Sequence, residues 1–161
     1  MSPDLGPALV IAVDDPRSED VRALIEAHFS YSRDITPEGY SFAMDVDALT
    51  GHGMTFFSAR RDGALVGMAA LKRLDGTHAE LKSMHTVAAA RGAGIGRAVL
   101  EHILAFGREH GFRRMSLETG TSHDYAPARS LYLSAGFQPC GPFGGYSDSP
   151  HNTFMTLELI R

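Results

Sequence analysis

The chain has 161 residues and a formal net charge of −4 at pH 7; hydrophobic residues make up 43% and charged residues 21%. This balance predicts one globular domain over residues 1–161 and excludes a disordered chain, while the negative net charge argues against a nucleic-acid partner. A lone cysteine, Cys140, excludes an intramolecular disulfide framework. The start lacks a signal-peptide pattern and no stretch approaches the roughly 20 apolar residues of a membrane span, so we expect a cytoplasmic protein without a membrane partner.

The first part of the chain combines one strand with helices and a loop. Hydrophobic spacing predicts a strand over residues 8–13, a helix from residue 18, a loop over residues 30–40 and a weaker helix over residues 42–49. Val21, Ile25 and Phe29 lie on one face of the first helix. Because loops between helices often contact substrates, the loop is either a substrate-contacting segment or a plain connector.

An antiparallel meander follows these helices. Asp62-Gly63 and Asp75-Gly76 are predicted hairpin turns, because Asp-Gly is a strong signal for a tight connection between two strands. They separate strands predicted over residues 54–59, 64–71 and 78–87. The third of these strands leads into a glycine-rich turn.

That turn reads Arg91-Gly92-Ala93-Gly94-Ile95-Gly96, and a helix is predicted from Gly94 to a C-terminal cap at Gly111. The start of a helix leaves backbone N–H groups without partners and carries the positive end of the helix dipole. Glycine lets a ligand approach closely, and Arg91 adds a positive charge. The pattern predicts a cradle for a phosphate or pyrophosphate; a tight turn that binds nothing is the alternative.

The last part of the chain alternates strands with a short helix. We predict a strand over residues 113–119, a helix over 127–135, strands over 137–140 and 154–160, and a Gly/Pro-rich loop over 141–152. Phe143 and Tyr146 in that loop either line a substrate pocket or anchor the loop. The element order is β-α-α-β-β-β-α-β-α-β-β, which predicts an α/β fold with a mixed, mostly antiparallel sheet of about six or seven strands flanked by helices.

Two segments carry a resemblance to a known family. Arg91-x-x-Gly94-x-Gly96 after a strand resembles the acyl-CoA pyrophosphate motif of the GNAT superfamily, the Gcn5-related N-acetyltransferases. Residues 128–137, which read ARSLYLSAGF, resemble the later helix and strand of that family. Segments 82–86 and 139–144 further resemble a branch of small, mostly uncharacterised N-acetyltransferases. Tyr125 departs from the pattern, because many members have an asparagine there that helps to hold the cofactor or the helix.

The resemblance implies acetyl transfer from acetyl-CoA, as a co-substrate and without a metal, to an amine of a small molecule or peptide by direct attack in a ternary complex. The strand before the glycine turn is implied to pair with the pantetheine arm, and an N–H near Val87 is implied to stabilise the thioester oxygen. A homodimer formed through the late loop and last strand stays open. The residues implied to contact the cofactor are Met84, His85, Thr86, Val87, Arg91, Gly92, Ala93, Gly94, Ile95, Gly96 and Arg97.

The resemblance also implies catalytic side chains. Tyr132 resembles the general acid that protonates the departing sulfur; the alternative is a packing tyrosine on an amphipathic helix. The amine must lose a proton before it attacks, and Glu80 resembles the position of a glutamate base in some members. Glu118 at the end of the next strand and His85 are further candidates for the base, and an ordinary surface or structural charge is the alternative for each.

Two other functions compete with acetyl transfer. The spacing Gly92-x-Gly94-x-Gly96, with Glu118 ending the next strand, is also compatible with a nicotinamide-dependent oxidoreductase, although the third glycine comes one residue early. A non-catalytic acyl-CoA-binding or regulatory module on the same fold is the alternative from another class, because a fold does not fix a function.

Overall fold

The computed structural model describes residues 8–159, and its strands form one sheet. The strands are β1 (Leu9–Val13), β2 (Met54–Arg61), β3 (Ala64–Arg73), β4 (His78–Thr86), β5 (Arg114–Gly120), β6 (Gln138–Cys140) and β7 (Asn152–Glu158). Their order across the sheet is β1-β2-β3-β4-β5-β7-β6, and all neighbours are antiparallel except β4 and β5. The predicted mixed, mostly antiparallel sheet is confirmed, and its hairpins differ from the parallel crossovers of a nicotinamide-binding fold.

Helices cover both faces of this sheet. They are α1 (Glu19–Asp34), α2 (Val46–Leu49), α3 (Ile95–Glu109) and α4 (Ala126–Ser134), with short 3-10 turns at Ala88–Ala90 and His123–Tyr125. Within residues 8–159, none of the helices is both long and apolar enough to cross a membrane.

The predicted elements agree with these bounds except at their ends. The predicted loop over residues 30–40 is wrong at its start, because α1 continues to Asp34 and buries Ser32. The second helix begins only at Val46, because the Asp45 side chain accepts a hydrogen bond from the N–H of Ala48 (2.9 Å) and so caps the helix there. The last strand begins two residues before the predicted start, at Asn152; residue 160 lies outside the described part of the chain.

The predicted Asp62-Gly63 hairpin has a clear backbone cause. Asp62 has φ 52° and Gly63 has φ 77°, so both central residues adopt the left-handed conformation that a tight two-residue hairpin requires. This turn joins β2 to β3 in the antiparallel register that the meander predicts.

Two apolar clusters lie on opposite faces of the sheet. On one face, α3 packs Val99, Ile103 and Leu104 against residues of the central strands. On the other face, α1 and α2 pack against the sheet, with Val21 and Leu49 buried there. The sheet is therefore covered on both sides, and positions along its strands alternate between these two clusters.

The pairing between β4 and β5 stops before either strand ends. The parallel register runs from His78 opposite Arg114 to Leu81 opposite Leu117, yet β4 continues to Thr86 and β5 to Gly120. The register between β3 and β4 also shifts at this point, and Ser83 has φ 56°. A β-bulge of this kind bends its strand. The two strands therefore separate beyond residue 81 and leave a cleft in the middle of the sheet.

A pair of histidines joins α1 to β4 beside this cleft. The Nδ1 atoms of His28 and His85 lie 2.9 Å apart, so one ring donates the hydrogen bond and the other accepts it. Burial, and then the charge of His85, lower the pKa of His28 to about 4, and burial and the charge of Arg91 also lower the pKa of His85. The folded protein therefore favours the neutral forms of both rings.

This pair predicts that stability falls in mild acid. The pKa of His28 is about 4 in the folded protein, below its ordinary value of 6.5. Between pH 4 and pH 6.5, His28 therefore binds a proton in the unfolded chain but not in the folded chain. We expect the free energy of unfolding to decrease by about 1 kcal/mol from pH 7.5 to pH 5.5 on account of His28. Urea titrations at both pH values measure this, and His28→Gln reduces the decrease. The exposed His52→Gln serves as the control; an equal decrease in His28→Gln and wild type contradicts the assignment.

Candidate active site

The cleft between β4 and β5 holds two adjoining cavities. The outer cavity, of about 530 Å³, lies between the glycine turn, the end of β4 and α4. Of the residues predicted to contact a cofactor, those that line it are Met84, His85, Thr86, Arg91, Gly92, Gly94, Ile95, Gly96 and Arg97. Ala93 and Val87 do not line it. The structure thus brings together most of the predicted cradle around one space.

The glycine turn has the backbone geometry of an anion cradle. Gly92 and Gly94 have φ values of 84° and 79°, and a Cβ built on either glycine meets nothing within 4 Å. The first helical hydrogen bond of α3 runs from Ala98 to the carbonyl of Gly94 (3.1 Å), so the N–H groups of the preceding turn have no partner within the helix. Open space over free N–H groups at a helix start fits a phosphate or pyrophosphate.

Two arginines flank this turn. The Arg91 Nε donates to the carbonyl of Thr86 (3.2 Å), which holds this side chain beside the end of β4. Arg97 donates to the hydroxyl of Ser134 on α4 and lies 3.8 Å from Glu101, one turn further along α3. Both arginines line the outer cavity and bring positive charge to the glycine turn.

The N–H of Val87 itself has a partner within the sheet. That group donates to the carbonyl of Val66 (2.9 Å), so it is already engaged on the β3 side. The nearest irregular backbone is the bulge, because Ser83 and Met84 have no Cα partners in the β3–β4 register. Their backbone lies at the mouth of the cleft, and Met84 lines both cavities.

The inner cavity, of about 110 Å³, continues from the outer one into the sheet. Its walls come from β4, β5, α4 and the segment between α1 and α2, and they include Glu80, Lys82 and Glu118. The residues shared by both cavities are His28, Ser32, Met84, Tyr125, Ala128 and Tyr132. A molecule in the inner cavity and one in the outer cavity therefore meet beside Tyr132.

Tyr132 is positioned by α4 at this junction. Its side chain is 7% exposed and packs against Phe137, with ring centroids 5.9 Å apart. Burial, and then the charge of Glu118, raise the pKa of the Tyr132 phenol well above its ordinary value. Among residues 8–159 no hydrogen-bond partner of its hydroxyl is found. The hydroxyl is thus protonated and free to donate.

Glu118 faces the inner cavity from the end of β5. Its Oε2 accepts a hydrogen bond from the Asn152 Nδ2 (2.6 Å), and no cation pairs with it in the described part of the chain. Burial raises the pKa of the Glu118 carboxyl, and the hydrogen bond from Asn152 opposes that rise. A half-buried carboxylate with a raised pKa is suited to accept a proton near neutral pH.

Glu80 lies in a tighter arrangement on the same face of the sheet. It is 2% exposed, and its Oε2 accepts hydrogen bonds from the Lys82 Nζ (3.1 Å) and the Tyr146 hydroxyl (2.5 Å). Lys82 also donates to the Tyr146 oxygen (2.7 Å). Tyr146 therefore anchors the late loop on β4, which settles its role among the two predicted for it. Glu80 is engaged by two donors, whereas Glu118 is engaged by one.

Two polar residues in this cleft were not singled out as site residues by the sequence. The sequence pattern places Asn152 in the loop over residues 141–152, and no local motif marks it. Tyr125 stands where many members of the family have asparagine. It packs its ring against Gly120, where any Cβ would lie 2.3 Å from the ring. Its hydroxyl contacts the Thr36 Oγ1 (2.6 Å) and the Ser32 Oγ (3.1 Å) and so ties α4 to the end of α1.

His85, the third candidate base, lines only the outer cavity and is paired with His28. In the described residues, no group of His, Cys, Asp or Glu side chains is arranged to hold a metal ion.

Comparison with known proteins places these features in a family. The family model described as "Acetyltransferase (GNAT) family" matches residues 18–137. The chain is 39% identical over 149 residues to an uncharacterised N-acetyltransferase of Bacillus subtilis (strain 168). The aligned residues cover 92% of this chain and 99% of the relative. It is 36% identical over 155 residues to an IAA acetyltransferase of Azospirillum brasilense, covering 95% and 99%.

Solved structures agree with this fold. A GNAT-family acetyltransferase of Staphylococcus aureus Mu50 superposes with a TM-score of 0.71 at 22% identity, covering 95% of this chain and 100% of the other. An aminoglycoside 6'-N-acetyltransferase complexed with coenzyme A superposes with a TM-score of 0.70 at 16% identity, covering 94% and 98%. From its sequence relatives and its fold, this chain belongs to the GNAT acetyltransferase family and is an acyltransferase.

Proposed function

We propose that this protein transfers the acetyl group of acetyl-CoA to an amine of a small molecule or peptide by direct attack in a ternary complex. The observation that carries the proposal is the position of Tyr132, which lines both cavities and separates an electropositive cradle from a pocket that holds Glu118. This arrangement supports two substrates bound at once, with the acetyl group between them.

The outer cavity suits acetyl-CoA. Its pyrophosphate fits the free N–H groups at the start of α3, between Arg91 and Arg97, and its pantetheine arm fits beside the end of β4. The complex of the aminoglycoside 6'-N-acetyltransferase with coenzyme A, on a similar fold, also supports this cofactor. When bound, acetyl-CoA supplies the acetyl group as a thioester, which an amine attacks at the carbonyl carbon.

Glu118 acts as the base in this proposal. An alkylamine is mostly protonated at neutral pH, so one proton must leave before its nitrogen lone pair can attack. The carboxylate of Glu118 accepts that proton in the inner cavity. Glu80, the other carboxylate predicted for this task, is held by Lys82 and Tyr146, so we assign it to shaping the pocket.

As the amine nitrogen bonds to the carbonyl carbon and the C–S bond breaks, Tyr132 gives its proton to the departing sulfur and so acts as the acid in this proposal. The second proton that the nitrogen must lose passes to the Tyr132 oxygen and restores the phenol. Its raised pKa keeps the hydroxyl protonated over the whole physiological range. The backbone of the bulge at Ser83 and Met84 supplies the N–H that stabilises negative charge on the carbonyl oxygen, in place of Val87.

Replacing Tyr132 tests the acid. We expect Tyr132→Phe to lower kcat about 100-fold, because the departing sulfur loses its proton donor. We expect the Kd for acetyl-CoA to change less than about threefold, since no cradle group is altered. Steady-state assays of thiol release and calorimetric titration measure the two quantities. Tyr31→Phe removes a hydroxyl from the same outer cavity and is the control. An unchanged kcat in Tyr132→Phe removes this residue from the acid role.

Replacing Gly94 tests the cradle. In Gly94→Asp, a carboxylate enters the pyrophosphate site and a side chain is forced to a φ of 79°, so we expect acetyl-CoA affinity to fall at least about tenfold. Calorimetric titration with acetyl-CoA measures this. Gly111→Asp is the matched control, because Gly111 has a similar φ of 83° and open space at the other end of α3. Similar affinities in the two variants would refute the cradle.

Replacing Asn152 tests the base. The amide of Asn152 stabilises the ionised carboxylate of Glu118, so Asn152→Ala raises the pKa of that carboxyl. Because the base works only when ionised, we expect the acid limb of kcat/KM against pH to move to higher pH. Thr153→Ala on the same strand is the control. An acid limb that does not move shows that a group other than Glu118 governs it.

A further inference from the structure

We infer that the acceptor is a compact amine that carries a single positive charge and no anionic group. The inference rests on the proposed function and assigns the acceptor to the inner cavity. It separates this chain from enzymes that act on peptide N-termini or on large polycationic sugars.

The volume of the inner cavity limits the size of the acceptor. The cavity measures about 110 Å³, against about 530 Å³ for the outer one. A dry cavity of roughly 150 Å³ in another protein holds one benzene molecule. The inner cavity therefore accommodates an amine of about half a dozen heavy atoms, which is smaller than the first residues of a peptide.

Hydrogen bonds hold the outer wall of the cavity in place. That wall is the segment Tyr40, Ser41, Phe42 and Ala43. The carbonyl of Tyr40 accepts from the Asn152 Nδ2 (3.2 Å), and the Ser41 hydroxyl contacts the Ser32 hydroxyl (3.1 Å). The wall is thus tied to β7 on one side and to α1 on the other.

The charges in the cavity select one cation. Glu80 and Lys82 form an ion pair (3.1 Å) that cancels their charges, and the Tyr146 hydroxyl forms hydrogen bonds with both side chains. The carboxylate of Glu118, in contrast, accepts a hydrogen bond from the neutral amide of Asn152 and keeps its negative charge uncompensated. An ammonium group neutralises Glu118, whereas a carboxylate on the acceptor meets two glutamates and a lysine that is already paired. The cavity therefore disfavours amino acids.

The rest of the lining mixes apolar and polar residues. Leu81 and Met84 line the cavity beside these charged groups, and so do residues with hydroxyl groups: Ser32, Thr36, Ser41, Ser83 and Thr119. Burying the short carbon chain of a small amine against the apolar part of this lining is favourable.

A matched set of acceptors tests the inference. We would measure thiol release from acetyl-CoA with n-butylamine, with 4-aminobutyrate, which adds a carboxylate to a chain of the same length, and with an alanyl tripeptide. We expect kcat/KM for n-butylamine to exceed the other two values at least tenfold. Equal or higher values for 4-aminobutyrate or the tripeptide overturn the inference and leave the proposed function intact. If acetyl-CoA binds but no amine of any class is acetylated, the proposed function fails as well.

A variant tests the wall directly. Phe42 is 40% exposed, so Phe42→Ala widens the cavity without removing a core side chain. We expect the ratio of kcat/KM for 2-phenylethylamine to that for n-butylamine to rise at least fivefold. Leu133→Ala, a 50% exposed position on α4 that does not line the cavity, is the control. Activity on n-butylamine reports that each variant is folded. A ratio that stays at the wild-type value contradicts the size limit.

Discussion

The separation of β4 from β5 is the constraint on which the rest of the site depends. Parallel pairing ends at Leu81 and Leu117, and the bulge at Ser83 and Met84 turns the end of β4 away. Without this separation, the two strands would continue their ladder and close the middle of the sheet. The separation leaves backbone N–H and C=O groups without hydrogen-bond partners in the sheet. Such groups destabilise the fold unless water or a ligand binds them. In the proposed function, acetyl-CoA binds at this interruption of the sheet.

The acceptor side of the cleft is organised by polar contacts between elements that are distant in the sequence. Asn152 donates to Glu118 and to the carbonyl of Tyr40, and its Oδ1 accepts from the Ser149 hydroxyl (2.8 Å). One buried amide therefore joins the carboxylate, the wall and the late loop. Tyr146 connects the same loop to Glu80 and Lys82. Satisfied networks of this kind fix one arrangement of a site, because leaving any member unpaired is costly.

The scaffold and the backbone geometry of the glycine turn can be predicted from the sequence, because both depend on local signals. Asp62-Gly63 and the glycines at 92 and 94 require positive φ, and the spacing of Val99 and Ile103 marks a helix whatever surrounds it. The acceptor side depends on tertiary contacts instead. No local pattern around Asn152 predicts its hydrogen bond to Glu118, and none around Val87 predicts that its N–H donates to the carbonyl of Val66. The end of α1 also depends on tertiary contacts, because Ser32 is buried there against other elements.

The central claim is that the two cavities meet at Tyr132, so that the cofactor and the acceptor lie in contact there. A crystal structure of the complex with coenzyme A tests this most directly. We expect the pyrophosphate to lie on the start of α3 and the sulfur to lie within about 3.5 Å of the Tyr132 hydroxyl, facing the inner cavity. Coenzyme A bound elsewhere, or bound with its sulfur directed away from Tyr132 and Glu118, would contradict this arrangement.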